Sequence, residues 1–135
     1  MITNASLTGS ATLQIGDVAE RTGLSLRTIR HYEDVGLLPP AQRSPGGFRL
    51  YTHDAVERLL LVKQMKPLDF TLEEMAEIID IRERLARPRL SIKTRAGLLT
   101  RLEHYQQLTE TKLAELTRKV DNATTFAAEL RTLVG

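Results

Sequence analysis

The stretch RTIRHYEDVGLLPP (residues 27–40) builds a helix and then forbids it to continue. At about 3.6 residues per turn, Arg27, Arg30 and His31 share one face while Leu26 and Ile29 share another, so one side can pack while the other meets a partner. Gly36 suits a left-handed residue just past a helix end, and Pro39 and Pro40 prevent the helix from resuming. Upstream, IGDVAERTG puts Ile15, Val18 and Ala19 on one apolar face and closes on Gly23. Gln14 is a mediocre cap for that first helix, whereas Ser25 is a good one for the second. Helix, brief turn containing glycine, second helix is the helix-turn-helix pattern.

In LLPPAQRSPGGFRLYT, prolines exclude a helix, Gly46 and Gly47 allow a tight turn, and Phe48, Leu50 and Tyr51 have strand-like character. The expected structure is a small hairpin, or wing, with Arg43 and Arg49 on its arms. Thr52 caps a helix through DAVERLLLVKQMK that Pro67 ends, and TLEE from Thr71 to Glu74 fits a capping box for another helix. ARPRLS, residues 86–91, is a linker. Beyond it, with Leu99 at position a of a heptad, Leu99, Gln106, Leu113 and Val120 fall at a and Leu102, Thr109 and Leu116 at d. Five of these seven seam positions are apolar, which predicts a coiled-coil helix over 92–120 that needs a second copy to cover it. The expected fold is mainly α, with a disordered leader over 1–12, a DNA-binding domain over 13–86, the dimerisation helix, and a short tail over 121–135 that folds back on the seam and leaves no sizeable effector domain.

Between Arg21 and Lys66 there are eight Lys or Arg residues against four acids, so a local positive surface can bind phosphate although the whole chain carries only +2. A capped second helix followed by a two-arginine wing places Arg27, Arg30, His31, Arg43 and Arg49 where a major groove and its flanking phosphates would lie. By residue type, Phe48 and Tyr51 fit wing packing better than nucleic-acid contact. Cysteine is absent, which excludes disulfides and thiolate metal sites, and the three histidines lack metal-ligand spacing. Nothing assembles a nucleophile, a base and an oxyanion site, so no enzyme, cofactor or metal is expected. The chain has neither a secretory signal nor a membrane-length apolar run, and a cytoplasmic location is expected.

IGDVAERTGLSLRTIRHYEDVGLLPP and GGFRLYTHDAVERLLLVKQMKPLDFTLEEMAEII together closely resemble the MerR family of bacterial transcription regulators, over roughly residues 14 to 85. The resemblance implies a homodimeric winged helix-turn-helix protein, its long helices paired in an antiparallel coiled coil. Such a protein binds a near-palindromic promoter operator on double-stranded DNA and distorts the spacer for RNA polymerase. It also implies that Ser25, Arg27, Thr28, Arg30 and His31 belong to the recognition helix, Arg43, Phe48, Arg49 and Tyr51 to the wing, and that Lys66 approaches backbone phosphate. Leu99, Leu102, Leu113, Leu116 and Val120 would form the dimer seam. His31 stands where the family often has tyrosine, and Asp69 where it usually has glycine. An architectural or recombination protein that bends DNA is the alternative, and a non-DNA interaction module the third reading.

Overall fold

The computed structural model describes residues 11–135. In chain order it contains β1 (Leu13–Gln14), α1 (Ile15–Thr22), α2 (Leu26–Asp34), β2 (Gln42–Arg43), β3 (Arg49–Tyr51), α3 (His53–Met65), a 3-10 turn (Lys66–Leu68), α4 (Leu72–Leu85) and α5 (Ile92–Val134). Two compact units divide within α4, the first ending at Asp80 and the second running from Ile81 to Gly135.

In the first unit α1 packs on α2, α3 and β3 around the fully buried Val18, Ile29 and Leu59. Gly23 ends α1 in the left-handed region (φ 73°), its amide donating to the Ala19 carbonyl at 2.8 Å. The Ser25 hydroxyl accepts from the Thr28 amide at 3.1 Å and starts α2. The enforced stop after α2 now has a physical purpose. Gly36 turns the chain at φ 87°, and the amides of Leu37 and Leu38 both donate to the Tyr32 carbonyl, at 2.9 and 3.3 Å. Both leucines are thereby folded into the core, where burying each contributes about 2 kcal/mol.

The wing is a three-stranded antiparallel sheet of order β1-β3-β2, with Leu13 opposite Tyr51 and Arg43 opposite Arg49. The hairpin follows the expectation; the extra strand β1 does not, because two residues are too few to show a period of two. The expected leader over 1–12 needs correction at its end, since the Thr12 amide donates to the Tyr51 carbonyl at 3.1 Å. The rest of that leader, residues 1–10, lies outside the described residues.

Thr52 caps α3 by accepting from the Ala55 amide at 3.1 Å. Pro67 sits inside the 3-10 turn, which Asp69 closes with φ 59°, the one non-glycine residue with positive φ among those described. Asp69 therefore adopts the left-handed conformation usual for glycine, at a strain of about 1 kcal/mol. The capping box of α4 is reciprocal: the Thr71 amide donates to Glu74 at 2.8 Å, and the Glu74 amide to the Thr71 hydroxyl at 3.1 Å.

In the second unit Ser91 caps α5, accepting from the Thr94 amide at 3.1 Å. This helix runs 43 residues without interruption, about 65 Å at 1.5 Å per residue. The tail expected to fold back after Val120 is thus the last third of the same helix. Its sequence contains neither a proline nor a glycine before Gly135, so nothing there breaks the helix. Continued past Val120 at the same spacing, the seam meets Ala123, Ala127, Leu130 and Val134, all apolar.

Candidate nucleic-acid interface

The side chains of α2 divide by function. Ile29 and Tyr32 face the core, whereas Arg27, Arg30 and His31 are exposed on the opposite side. The ring of His31 lies tilted against that of Tyr32, centroids 5.7 Å apart, and Arg27 and Arg30 make no side-chain hydrogen bond among the described residues. Ser25 and Thr28 stand at the helix start with their hydroxyls bonded to each other at 2.9 Å. An α-helix with its side chains is about 10–12 Å across, and a major groove about 12 Å wide admits it.

Glu33 locks this helix to the wing. One carboxylate oxygen accepts from the Tyr51 hydroxyl at 2.7 Å and the other from the Ala41 amide at 3.0 Å. Burial and the bond to Glu33, with that residue's negative charge, push the Tyr51 hydroxyl up to about 12, while Arg49 and Arg30 pull it the other way. The two guanidinium groups therefore lie in the field of the same pair. Residue counting treats Glu33 merely as an acid in a basic segment. Its position four residues after Ile29, on the inward side, is the signal that sequence reasoning could have used.

The family pattern places Tyr51 among the DNA contacts. At 3% exposure it is instead a core residue whose hydroxyl is already bonded, and it cannot touch DNA. Phe48 goes the other way from the packing expectation: it is 63% exposed, its ring beside Gly46, where an added Cβ would come within 3.3 Å of the ring. Arg43 is exposed, but its guanidinium donates to the Gly47 carbonyl at 2.9 Å and braces the wing turn. Arg49 is half-buried on β3, and Lys66 is exposed on the 3-10 turn.

Other cations are structural. Lys63 donates to the Thr22 carbonyl at 2.7 Å, closing the turn between α1 and α2. Arg58 bridges Asp54 at 3.3 Å and the Leu37 carbonyl at 3.2 Å, and Arg21 meets His53 at 3.3 Å. Arg27, Arg30, Arg49 and Lys66 remain as the first unit's cations with no side-chain bond among the described residues. Those residues include no cluster of three or more His, Asp or Glu able to hold a metal ion, and no helix long and apolar enough to cross a membrane.

Residues 13–80 match the family model for the MerR HTH family regulatory protein. The chain belongs to the MerR family. Over 122 residues it is 33% identical to HTH-type transcriptional regulator HmrR of Rhizobium leguminosarum bv. viciae, covering 90% of this chain and 84% of that protein. Over 71 residues it is 38% identical to the mercuric resistance operon regulatory protein of Bacillus cereus, covering 53% of this chain and 54% of the relative. The chain thus spans about half the length of several curated relatives it matches. Among solved structures it is similar to HiNmlR, a MerR family regulator lacking the sensor domain, bound to promoter DNA, at 25% identity and a TM-score of 0.62, covering 87% of this chain and 88% of that one. The mainly helical architecture with a small wing sheet and a long last helix is that of the MerR family.

Proposed function

We propose that this MerR-family chain is a DNA-binding transcription regulator that acts as a homodimer on a near-palindromic promoter operator and distorts the spacer DNA between RNA polymerase recognition elements. The observation that carries the proposal is the sorting of cations in the first unit: those that hold the fold together are bonded, and those on the outward face of α2, on β3 and on the 3-10 turn are open. Arg27, Arg30 and His31, with Ser25 and Thr28 at the helix start, are positioned to read base edges, and Arg49 and Lys66 to hold phosphates. The likeness to HiNmlR, which is bound to promoter DNA, supports this reading. The dimer reading rests on the apolar face of α5, where Leu99, Leu113 and Val120 are exposed and Leu102 and Leu116 half-buried. No catalytic role is proposed, and a cytoplasmic location goes with the regulatory one.

A dimer that grips two successive major grooves can correct an over-long spacer only by deforming it, at on the order of several kcal/mol drawn from its contacts. The test is transcription in vitro from the chain's own target promoter, with the natural spacer and with one shortened by about two base pairs. Activation of the natural template alone is expected. Repression of both would overturn activation by distortion, and binding at recombination sites rather than promoters would favour the architectural alternative.

A further inference from the structure

Positive charge is concentrated in a second stretch besides the one that holds the recognition helix and wing. Residues 1–81 carry eight Lys or Arg against eleven Asp or Glu, a balance of −3, and residues 96–135 carry five against five. The fourteen residues 82–95 hold six Lys or Arg against one acid, Glu83, a balance of +5. Beside residues 21–66, with eight against four, this short segment joining the end of α4 to the start of α5 is the chain's other cationic stretch.

This segment is ordered. The Ala86 amide donates to the Arg82 carbonyl at 3.3 Å and the Arg87 amide to the Arg84 carbonyl at 3.2 Å, so the chain leaves α4 through a bonded turn before Ser91 restarts it. Arg82, Arg87, Arg89, Lys93 and Arg95 are all exposed, and none of their side chains has a hydrogen bond or ion pair among the described residues. Five exposed cations within fourteen residues of chain have no acid paired with them among the described residues. Lys93 and Arg95 also sit in the first turn of α5, where the helix dipole disfavours positive charge. The arrangement destabilises the free chain, and a polyanion would relieve it.

We propose that the bend over residues 82–95 is a second DNA-backbone contact, taking phosphates outside those held by the recognition helix and wing. This rests on the reading of the chain as a DNA-binding protein. Exposed cations without an internal partner favour a polyanion, and the DNA proposed for the first unit is the polyanion at hand. Arginine, which supplies five of the six cations, grips phosphate with two parallel N–H donors.

The experiment compares the full chain with a variant combining Arg87→Gln, Arg89→Gln, Lys93→Gln and Arg95→Gln, titrated over a range of salt against a random-sequence duplex of about 40 base pairs and against a duplex selected for tight binding. The expected result is at least about tenfold weaker binding to both near 0.15 M salt, and a log–log salt slope shallower by about one for each phosphate no longer neutralised. The thermal midpoint should stay the same or rise, because positive charge has been removed from the first turn of α5, and Arg89→Gln alone should flatten the slope by a smaller step. An unchanged slope overturns the proposal. If DNA binding is intact and only stimulation of RNA polymerase is abolished, the bend meets an acidic protein surface and the DNA assignment is likewise overturned. A wild-type chain that binds neither duplex would instead refute the DNA-binding reading itself.

Discussion

Between residues 13 and 70 the large apolar side chains Val18, Ile29, Leu37, Leu38, Leu59 and Phe70 are closed into a core, whereas along α5 Leu113, Val120, Phe126 and Leu133 stand open to solvent. The sequence shows why. The first region is punctuated by Gly23, Gly36, Gly47, Pro39, Pro40 and Pro67, and each interruption turns the chain back so that one short element can cover another. In α5 nothing turns the chain back, and a single helix cannot cover its own stripe. The first region completes its burial within the chain; the second leaves an apolar stripe uncovered, which the proposed dimer would bury.

The comparison breaks most visibly if α5 needs no partner. Leu113→Asp places an unpaired charge on the proposed seam and should convert a dimer to monomers that bind a full palindrome poorly. Sedimentation showing an intact dimer would mean that the seam lies on another face. Next in size is the lock between α2 and the wing. Glu33→Ala leaves the Tyr51 hydroxyl and the Ala41 amide without their acceptor and should cost about 3 kcal/mol in denaturant unfolding, while Leu113→Asp leaves the first unit folded.

Burial of Tyr51, and after it the bond to Glu33, predicts an alkaline limit. The Tyr51 hydroxyl is raised from 10.0 in the unfolded chain to about 12, so the folded state holds its proton more tightly. This contribution is fully present below pH 10 and is lost as pH rises toward about 12, and Tyr51→Phe should remove that part of the pH dependence.

A smaller effect separates reading from holding. Arg49→Ala should weaken selected and random duplexes alike and lower the salt slope by about one, whereas Arg30→Ala should mainly reduce discrimination between them. Equal losses for Arg30→Ala on both duplexes would make it a phosphate contact. Smallest is Ser25→Ala, which removes the cap of α2 and should lower stability by about 1 kcal/mol without altering the salt slope.

Much of the first unit is legible in the sequence because caps and breakers act over three or four residues: Ser25, Thr52 and the Thr71–Glu74 pair all stand where their spacing puts them. What escapes the sequence is of longer range. Tyr51 looks the same whether its hydroxyl meets phosphate or Glu33, eighteen residues away. Lys63 and Thr22 are forty-one residues apart, so no local pattern distinguishes that lysine from a DNA-binding one. The end of α5 is different in kind. Placing a boundary at Val120 overlooks the absence of any helix breaker between it and Gly135.

The division of labour within α2 has an evolutionary consequence. Ile29, Tyr32 and Glu33 carry the bonds and burial on which the fold depends, while Arg27, Arg30 and His31 carry none of its side-chain hydrogen bonds among the described residues. On the proposed base-reading role, substitutions at those three positions would change the target sequence while removing no side-chain hydrogen bond of the fold. Target choice would then be free to diverge while the architecture is kept.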